Sequence, residues 1–130
     1  MTGRSLLLVD DDNLVLATTS SGLKAAGYIV RTAQTVAEAI ELLEEYRPDL
    51  ALLDIRMGLQ GGFDLARVLR DRYAIPFVFL SAYDDQATVE EATELGAVGF
   101  LVKPVDFPQI TPTIEAALKR ASELARLRNT

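Results

Sequence analysis

Apolar residues fall into two kinds of segment that alternate along the chain. Compact runs occupy Ser5 to Val9, Tyr28 to Thr32, Leu50 to Leu53, Phe77 to Leu80 and Val98 to Val102, each roughly five residues long. None keeps the strict apolar and polar alternation of a half-exposed strand, so the pattern predicts strands covered on both faces. Between them apolar residues recur at spacings of three and four, as at Val36, Ala39, Ile40 and Leu43. That spacing lays one apolar stripe along a helix, and Thr35 just before it can cap the helix by accepting a free backbone N–H. Gly27 and Gly96 follow the first and fourth helical segments, and Pro48 follows the second. Such residues end helices, because glycine enters left-handed backbone freely and proline cannot continue the hydrogen-bond ladder. Strands alternating with helices imply parallel pairing, since each right-handed crossover lays a helix on a sheet face. The predicted fold is a doubly wound α/β sandwich of about five βα units. Residues 1–130 are expected to form one domain, without internal repeat or low-complexity tract.

Composition narrows the chemistry. The chain of 130 residues is 49% hydrophobic and 25% charged, ordinary for a globular domain able to fold without a disulfide or cofactor. It has no cysteine and no histidine, which removes disulfides, thiol nucleophiles, the usual zinc sites and histidine general bases. Carboxylates, hydroxyls, lysines and arginines remain. No apolar run approaches the ~18 residues of a membrane span, and Leu6 to Val9 is too short for a signal segment, so a cytoplasmic protein without a membrane partner is expected. The net charge of −6 argues against nucleic-acid binding by this domain. Charge is uneven, however: Lys119, Arg120, Arg126 and Arg128 against Glu115 and Glu123 leave residues 113–130 at +2 and residues 1–112 at −8.

In an open parallel sheet, ligands gather beyond the carboxyl ends of the strands, and that is where the unusual polar residues fall. Asp10 and Asp11 end the first strand, Asp54 ends "LALLD", Ser81 ends "FVFLS" and Lys103 ends "FLVK". Singly, each has an ordinary role: Asp11 or Asp12 as a helix cap, Asp54 as a turn residue, Ser81 as a cap, Lys103 as a solvated charge. Jointly they fill one sheet edge with complementary groups. Three carboxylates in oxygen-only surroundings suit a hard cation such as Mg2+. With a metal and a lysine neutralising charge on a phosphoryl group, a carboxylate is a competent nucleophile toward phosphorus, because such transfer is mostly positioning and electrostatics.

The stretches "LLLVDDDN", "LALLDIRM", "FLSAY" and "GFLVKP", in this order and strand context, resemble the receiver domain of two-component response regulators from about Ser5 to about Ala121. The resemblance implies a flavodoxin-like sheet of order 2-1-3-4-5. It implies transfer of a phosphoryl group from a histidine kinase to Asp54, with Asp10, Asp11, Asp54 and the backbone carbonyl of Arg56 around Mg2+. Ser81 and Lys103 then match the groups that meet the phosphoryl oxygens, Phe100 the aromatic switch position that moves with Ser81, and Pro104 a cis-proline. Such a domain is not a conventional enzyme, although it catalyses its own phosphorylation and dephosphorylation. Phosphorylation adds about −1.5 to −2 charge, a local bias on a two-state switch.

Departures from the family pattern are also legible. Gly58 and Gly61 stand where the family usually has proline and aspartate, in "MGLQGG", and the three glycines at 58, 61 and 62 are expected to loosen the loop beside Asp54. Arg56 and Tyr83 are bulky residues where the family flanks the attacking water, which predicts slow hydrolysis of the aspartyl phosphate. Thr111 and Pro112 predict the start of a final helix that carries Ile114, Ala117, Ala121 and Leu124 and runs toward a linker from about residue 121. That end of the chain is similar to receivers joined to ANTAR-type RNA-binding antiterminators. RNA or DNA output would then come only through a further domain, and a homodimer through the last two βα units is a candidate assembly. A haloacid-dehalogenase type enzyme would need an aspartate where Arg56 stands, and a flavin carrier would need a phosphate cradle where "DDDN" stands. A degenerate receiver acting only as a protein-interaction module is the remaining alternative.

Overall fold

The structure, a computed structural model, describes residues 3–57, 61–82, 85–105 and 107–128. Strand β1 (Ser5–Val9) leads to helix α1 (Asn13–Ala25), followed by β2 (Ile29–Ala33), α2 (Val36–Leu43), β3 (Leu50–Asp54) and α3 (Gly62–Val68). A π-helical turn, Leu69–Tyr73, extends α3, and β4 (Phe77–Ser81), α4 (Gln86–Glu94), β5 (Gly99–Val102) and α5 (Phe107–Arg128) complete the order. The five strands are parallel in the order β2-β1-β3-β4-β5, with Leu6 level with Val30 on one side and Leu50 on the other. Fold class and strand order agree with the expectations above.

Each strand divides its side chains between two cores. Leu6 and Leu8 of β1 join Leu52, Leu80, Leu16, Leu23, Ile114 and Leu118 beneath α1 and α5. Leu7 and Val9 join Leu53, Phe79, Ala39, Leu65, Leu69 and Ala92 beneath α2, α3 and α4. A strand buried on both faces has no polar face to display, which is why period 2 is missing from β1, β3 and β4. The expectation fails for β2 and β5. Ile29 is 55% exposed and Val102 44%, because order β2-β1-β3-β4-β5 leaves these two strands at the edges, where the covering helices do not reach fully.

Most helix limits follow the sequence signals. Thr35 caps α2 by accepting the Glu38 N–H at 3.0 Å, and Gly27 and Gly96, just past α1 and α4, adopt positive φ. The last helix corrects an expectation: it begins at Phe107, so Thr111 is no cap and Pro112 lies inside it. Starting a turn earlier seats Ile110, 2% exposed, on the core beneath α1 and α5. The cost is one backbone hydrogen bond that Pro112 cannot donate, while Pro108 stands in the first turn, where N–H groups lack helical partners anyway.

Candidate functional site

The carboxyl ends of β1, β3, β4 and β5 deliver the polar residues to one edge. Backbone bonds continue the sheet past the strands and fix these ends: Asp10 N–H donates to Ala33 O (3.1 Å), Ile55 N–H to Leu80 O (3.1 Å) and Lys103 N–H to Ser81 O (2.8 Å). Asp10 is fully buried, Asp54 is 7% exposed and Ser81 2%. Asp11 is exposed, and one carboxylate oxygen each from Asp10, Asp11 and Asp54 lies within 4.8 Å of the others. Asp12 has the ordinary role considered for it, capping α1 by accepting the Leu14 and Val15 N–H groups at 2.9 and 3.3 Å.

Lys103 supplies the counter-charge. Its Nζ lies 2.7 Å from Asp10 Oδ2 and 3.2 Å from Asp54 Oδ1, and the Lys103–Pro104 peptide bond is cis. Burial and the charge of Asp10 push the Asp54 carboxyl up to about 6, although Lys103 pulls in the other direction. Burial alone would lower the Lys103 ammonium, but its hydrogen bonds to and the charges of Asp10 and Asp54 outweigh that and raise it above its ordinary range. The net result at neutral pH is an ionised, unusually basic Asp54 beside a firmly protonated lysine.

The donor set fits a hard divalent cation. Asp10 Oδ1 accepts the Asp12 N–H at 3.0 Å, and buried Oδ2 is the oxygen that Lys103 Nζ approaches at 2.7 Å, while one oxygen of Asp10 lies close to Asp11 and Asp54. Three clustered carboxylate oxygens suit Mg2+, which takes few protein ligands.

Other expected residues sit apart from this cluster. Phe100 is on β5, level with Phe79 of β4, and packs partly buried against the core beneath α2, α3 and α4. Arg56 follows β3 with an exposed side chain whose positive charge helps to hold the Asp85 carboxyl below its usual range, after the Thr88 hydrogen bonds that dominate there. Tyr83 and Gly58 lie outside the described residues. Gly61 and Gly62 contradict the expected loosening. A Cβ at either would press into backbone carbonyl oxygens, of Ile55 for Gly61 and of Asp54 for Gly62. Gly62 N–H donates to Ile55 O at 2.8 Å, and Gly61 N–H to Asp64 Oδ2 at 3.2 Å. These glycines permit close approach of α3 to the end of β3 and so tighten the connection. Sequence reasoning missed Asp85, the cap of α4, which accepts the Thr88 N–H at 3.2 Å and hydroxyl at 2.8 Å; an aspartate three residues before a threonine at a helix start was the available signal.

Comparison with known proteins bears on the fold and the family. The chain is similar to the transcriptional regulatory protein PdtaR of Mycobacterium tuberculosis, 34% identical over 125 residues, which cover 95% of this chain and 61% of PdtaR. It is 36% identical over 114 residues to the photosynthetic apparatus regulatory protein RegA of Cereibacter sphaeroides, covering 87% and 62% of the two chains. The chain therefore spans about three-fifths of the length of these curated relatives. Among solved structures, Vibrio cholerae chemotaxis protein CheY4 superposes with a TM-score of 0.82 at 27% identity over 88% of this chain and 98% of that one. The N-terminal domain of a response regulator/sensory box/GGDEF 3-domain protein from Carboxydothermus hydrogenoformans gives 0.85 at 28% identity, over 94% and 99%. No helix among the described residues is long and apolar enough to cross a membrane. Residues 6–115 match the profile of the response regulator receiver domain, and the chain belongs to that family.

Proposed function

We propose that the chain is a phosphoacceptor switch in which Asp54 takes a phosphoryl group from a phosphohistidine of a histidine kinase. The observation that carries this reading is the paired placement of a buried, basic Asp54 carboxylate and the Lys103 ammonium 3.2 Å from it. An Asp54 oxygen attacks phosphorus, the N–P bond of the donor breaks, and the histidine nitrogen leaves with the bonding electron pair. Lys103 meets one phosphoryl oxygen and Ser81 another, drawing charge off the group as it transfers. Asp10, Asp11, Asp54 and the Arg56 carbonyl would hold Mg2+, which when bound supplies further neutralisation of the phosphoryl oxygens. Movement of Ser81 toward the new anion opens space for Phe100, coupling the modification to the surface of β5. The protein acts in the cytoplasm. Its output passes through the α4, β5 and α5 surface to a second copy or to a further domain of the ANTAR RNA-binding type. Likeness to a transcriptional regulator supports that role.

Incubation with a small phosphodonor and Mg2+ should add one phosphoryl group by intact mass, absent after chelation and absent from Asp54→Asn. Labelling that persists in Asp54→Asn would remove the assignment, and failure to label under any of these conditions would leave the protein-interaction reading in its place.

A further inference from the structure

At the opposite edge of the sheet from Asp54, where the strands begin, a cavity of about 300 Å3 opens beneath the last turns of α5. It exists because the helix overruns the strands. α5 seats Ile114 and Leu118 on the core, and its next turns carry Ala121 and Leu124 past the starts of β4 and β5, beside Pro76 and Val98. Small residues keep the space open. Ala121, Ser122 and Ala125 line it from the helix, and a Cβ at Gly96, on the far wall, would meet nothing within 4 Å. Protein interiors ordinarily fill such volume with side chains, and a cavity of this size stands at the lower end of the range that takes small ligands.

The lining has two chemistries. Its buried side chains are apolar, Ile75, Phe77, Leu95, Val98 and Leu118, whereas its exposed ones include the guanidinium groups of Arg4 and Arg70. Among the described residues the one carboxylate in the lining, Asp49, is committed to β1: its Oδ2 accepts the Ser5 N–H at 2.8 Å and hydroxyl at 3.3 Å. Arg70 gives Nε and Nη2 to Asp71 at 2.8 and 3.2 Å, a pair that does not use Nη1. Helix-end carbonyls nearby are also paired, since the Ile75 and Ala97 N–H groups donate to Leu69 O and Ala92 O, each at 3.1 Å. Guanidinium suits a planar carboxylate, and apolar walls suit a hydrocarbon tail. A second copy's α5 is a poor occupant, because residues 113–130 carry a net +2 and would bring cations to cations. We infer that the cavity binds a small amphipathic anion, a carboxylate with a short apolar tail, its head toward Arg4 and Arg70. Such a ligand fills the gap beneath α5 and ties the overrunning turns to the sheet, a hold on this helix separate from the chemistry at Asp54.

Octanoate serves as the probe, with acetate as the head alone and octanol as the tail alone, each titrated into isotope-labelled protein at constant ionic strength and followed by amide NMR. Octanoate at millimolar concentration should shift the Gly96, Val98 and Ala121 amides saturably, while acetate leaves them in place and octanol binds severalfold more weakly. Replacing both cations, Arg4→Gln with Arg70→Gln, should erase the difference between octanoate and octanol. Ala125→Phe, on an exposed turn of α5, should weaken octanoate severalfold by filling the space. Shifts that fail to saturate, or that centre elsewhere on the molecule, overturn the inference. So do octanol binding as tight as octanoate, a difference that survives in the double variant, and undiminished octanoate binding in Ala125→Phe. Shifts at the same amides that follow protein concentration without any ligand would make a second copy the occupant, and they too overturn it. If a variant does not fold, the wild-type comparison of octanoate with octanol decides.

Discussion

At the scale of single residues, Asp54 sets reactivity against stability. Its carboxyl is pushed from the ordinary 3.8 up to about 6, first by burial and then by Asp10. The folded protein therefore holds this proton more tightly than the unfolded chain does. Stability from the neutral form is fully present below pH 3.8 and is lost as pH rises through about 6. Above that window the metal-free protein bears a cost on the order of 2–3 kcal/mol. Asp54→Asn is accordingly expected to stabilise the metal-free protein by about 2 kcal/mol at pH 7.5, with the gain shrinking toward zero near pH 4. Urea denaturation of both proteins at the two pH values checks it; equal midpoints at pH 7.5 would show that the buried charge is fully compensated. Asp10, Asp54, Ser81 and Lys103 were legible in the sequence because strand ends are easy to place and their chemistry is complementary. The closer approach of Lys103 to Asp10 was not, since it depends on how a four-carbon stem threads past its neighbours.

At the scale of elements, the connection from β3 to α3 shows how close packing reverses a composition argument. Glycine-rich sequence reads as flexible, yet Gly62 has no room for a Cβ beside the Asp54 carbonyl. Gly62→Ala should destabilise the protein by about 1–3 kcal/mol, as overpacking does, and should weaken Mg2+ binding by shifting the Arg56 backbone that follows Asp54. Thermal melting with and without Mg2+ reads both effects. A variant of unchanged stability would mean that α3 can pull away from β3 at little cost. The strands and the first, second and fourth helices were readable because their signals are local, such as Thr35 before α2 or Gly27 after α1. The start of α5 was not, because the seating of Ile110 against residues distant in sequence outweighs the local preference of Pro112. The end of the third helix was hidden for another reason. Ala74 takes a positive φ of 55° there without the glycine that usually marks such a turn.

At the scale of the whole molecule, four of the six exposed large apolar residues among the described ones, Val102, Phe107, Leu124 and Leu127, belong to β5 and α5, the others being Leu14 and Ile29. Leu124 and Leu127 of α5 are 41% and 68% exposed, and Val102 of β5 is 44% exposed. Phosphorylation, acting through Ser81 and Phe100 on this side of the sheet, is expected to promote self-association. Sedimentation with and without a beryllofluoride phosphoryl mimic should show a shift toward a dimer, and an unchanged monomer at high concentration in both states would count against it. The strand order carries one more consequence, for the order of assembly during synthesis. β1 pairs with β2 and then with β3, whose Leu50 stands opposite Leu6. The N-terminal 54 residues thus contain three adjacent strands, β2-β1-β3, with the outer edge of β3 still open for β4. That N-terminal part carries Asp10, Asp11 and Asp54, whereas Lys103 comes almost fifty residues later. Were these strands to pair as the chain emerges from the ribosome, the carboxylates would meet before their counterion exists, and like charges would oppose closure at the edge where the finished protein works. Closure of β5 beside β4 brings the balancing charge, so the last strand to be made carries the cation for carboxylates supplied by the first and third.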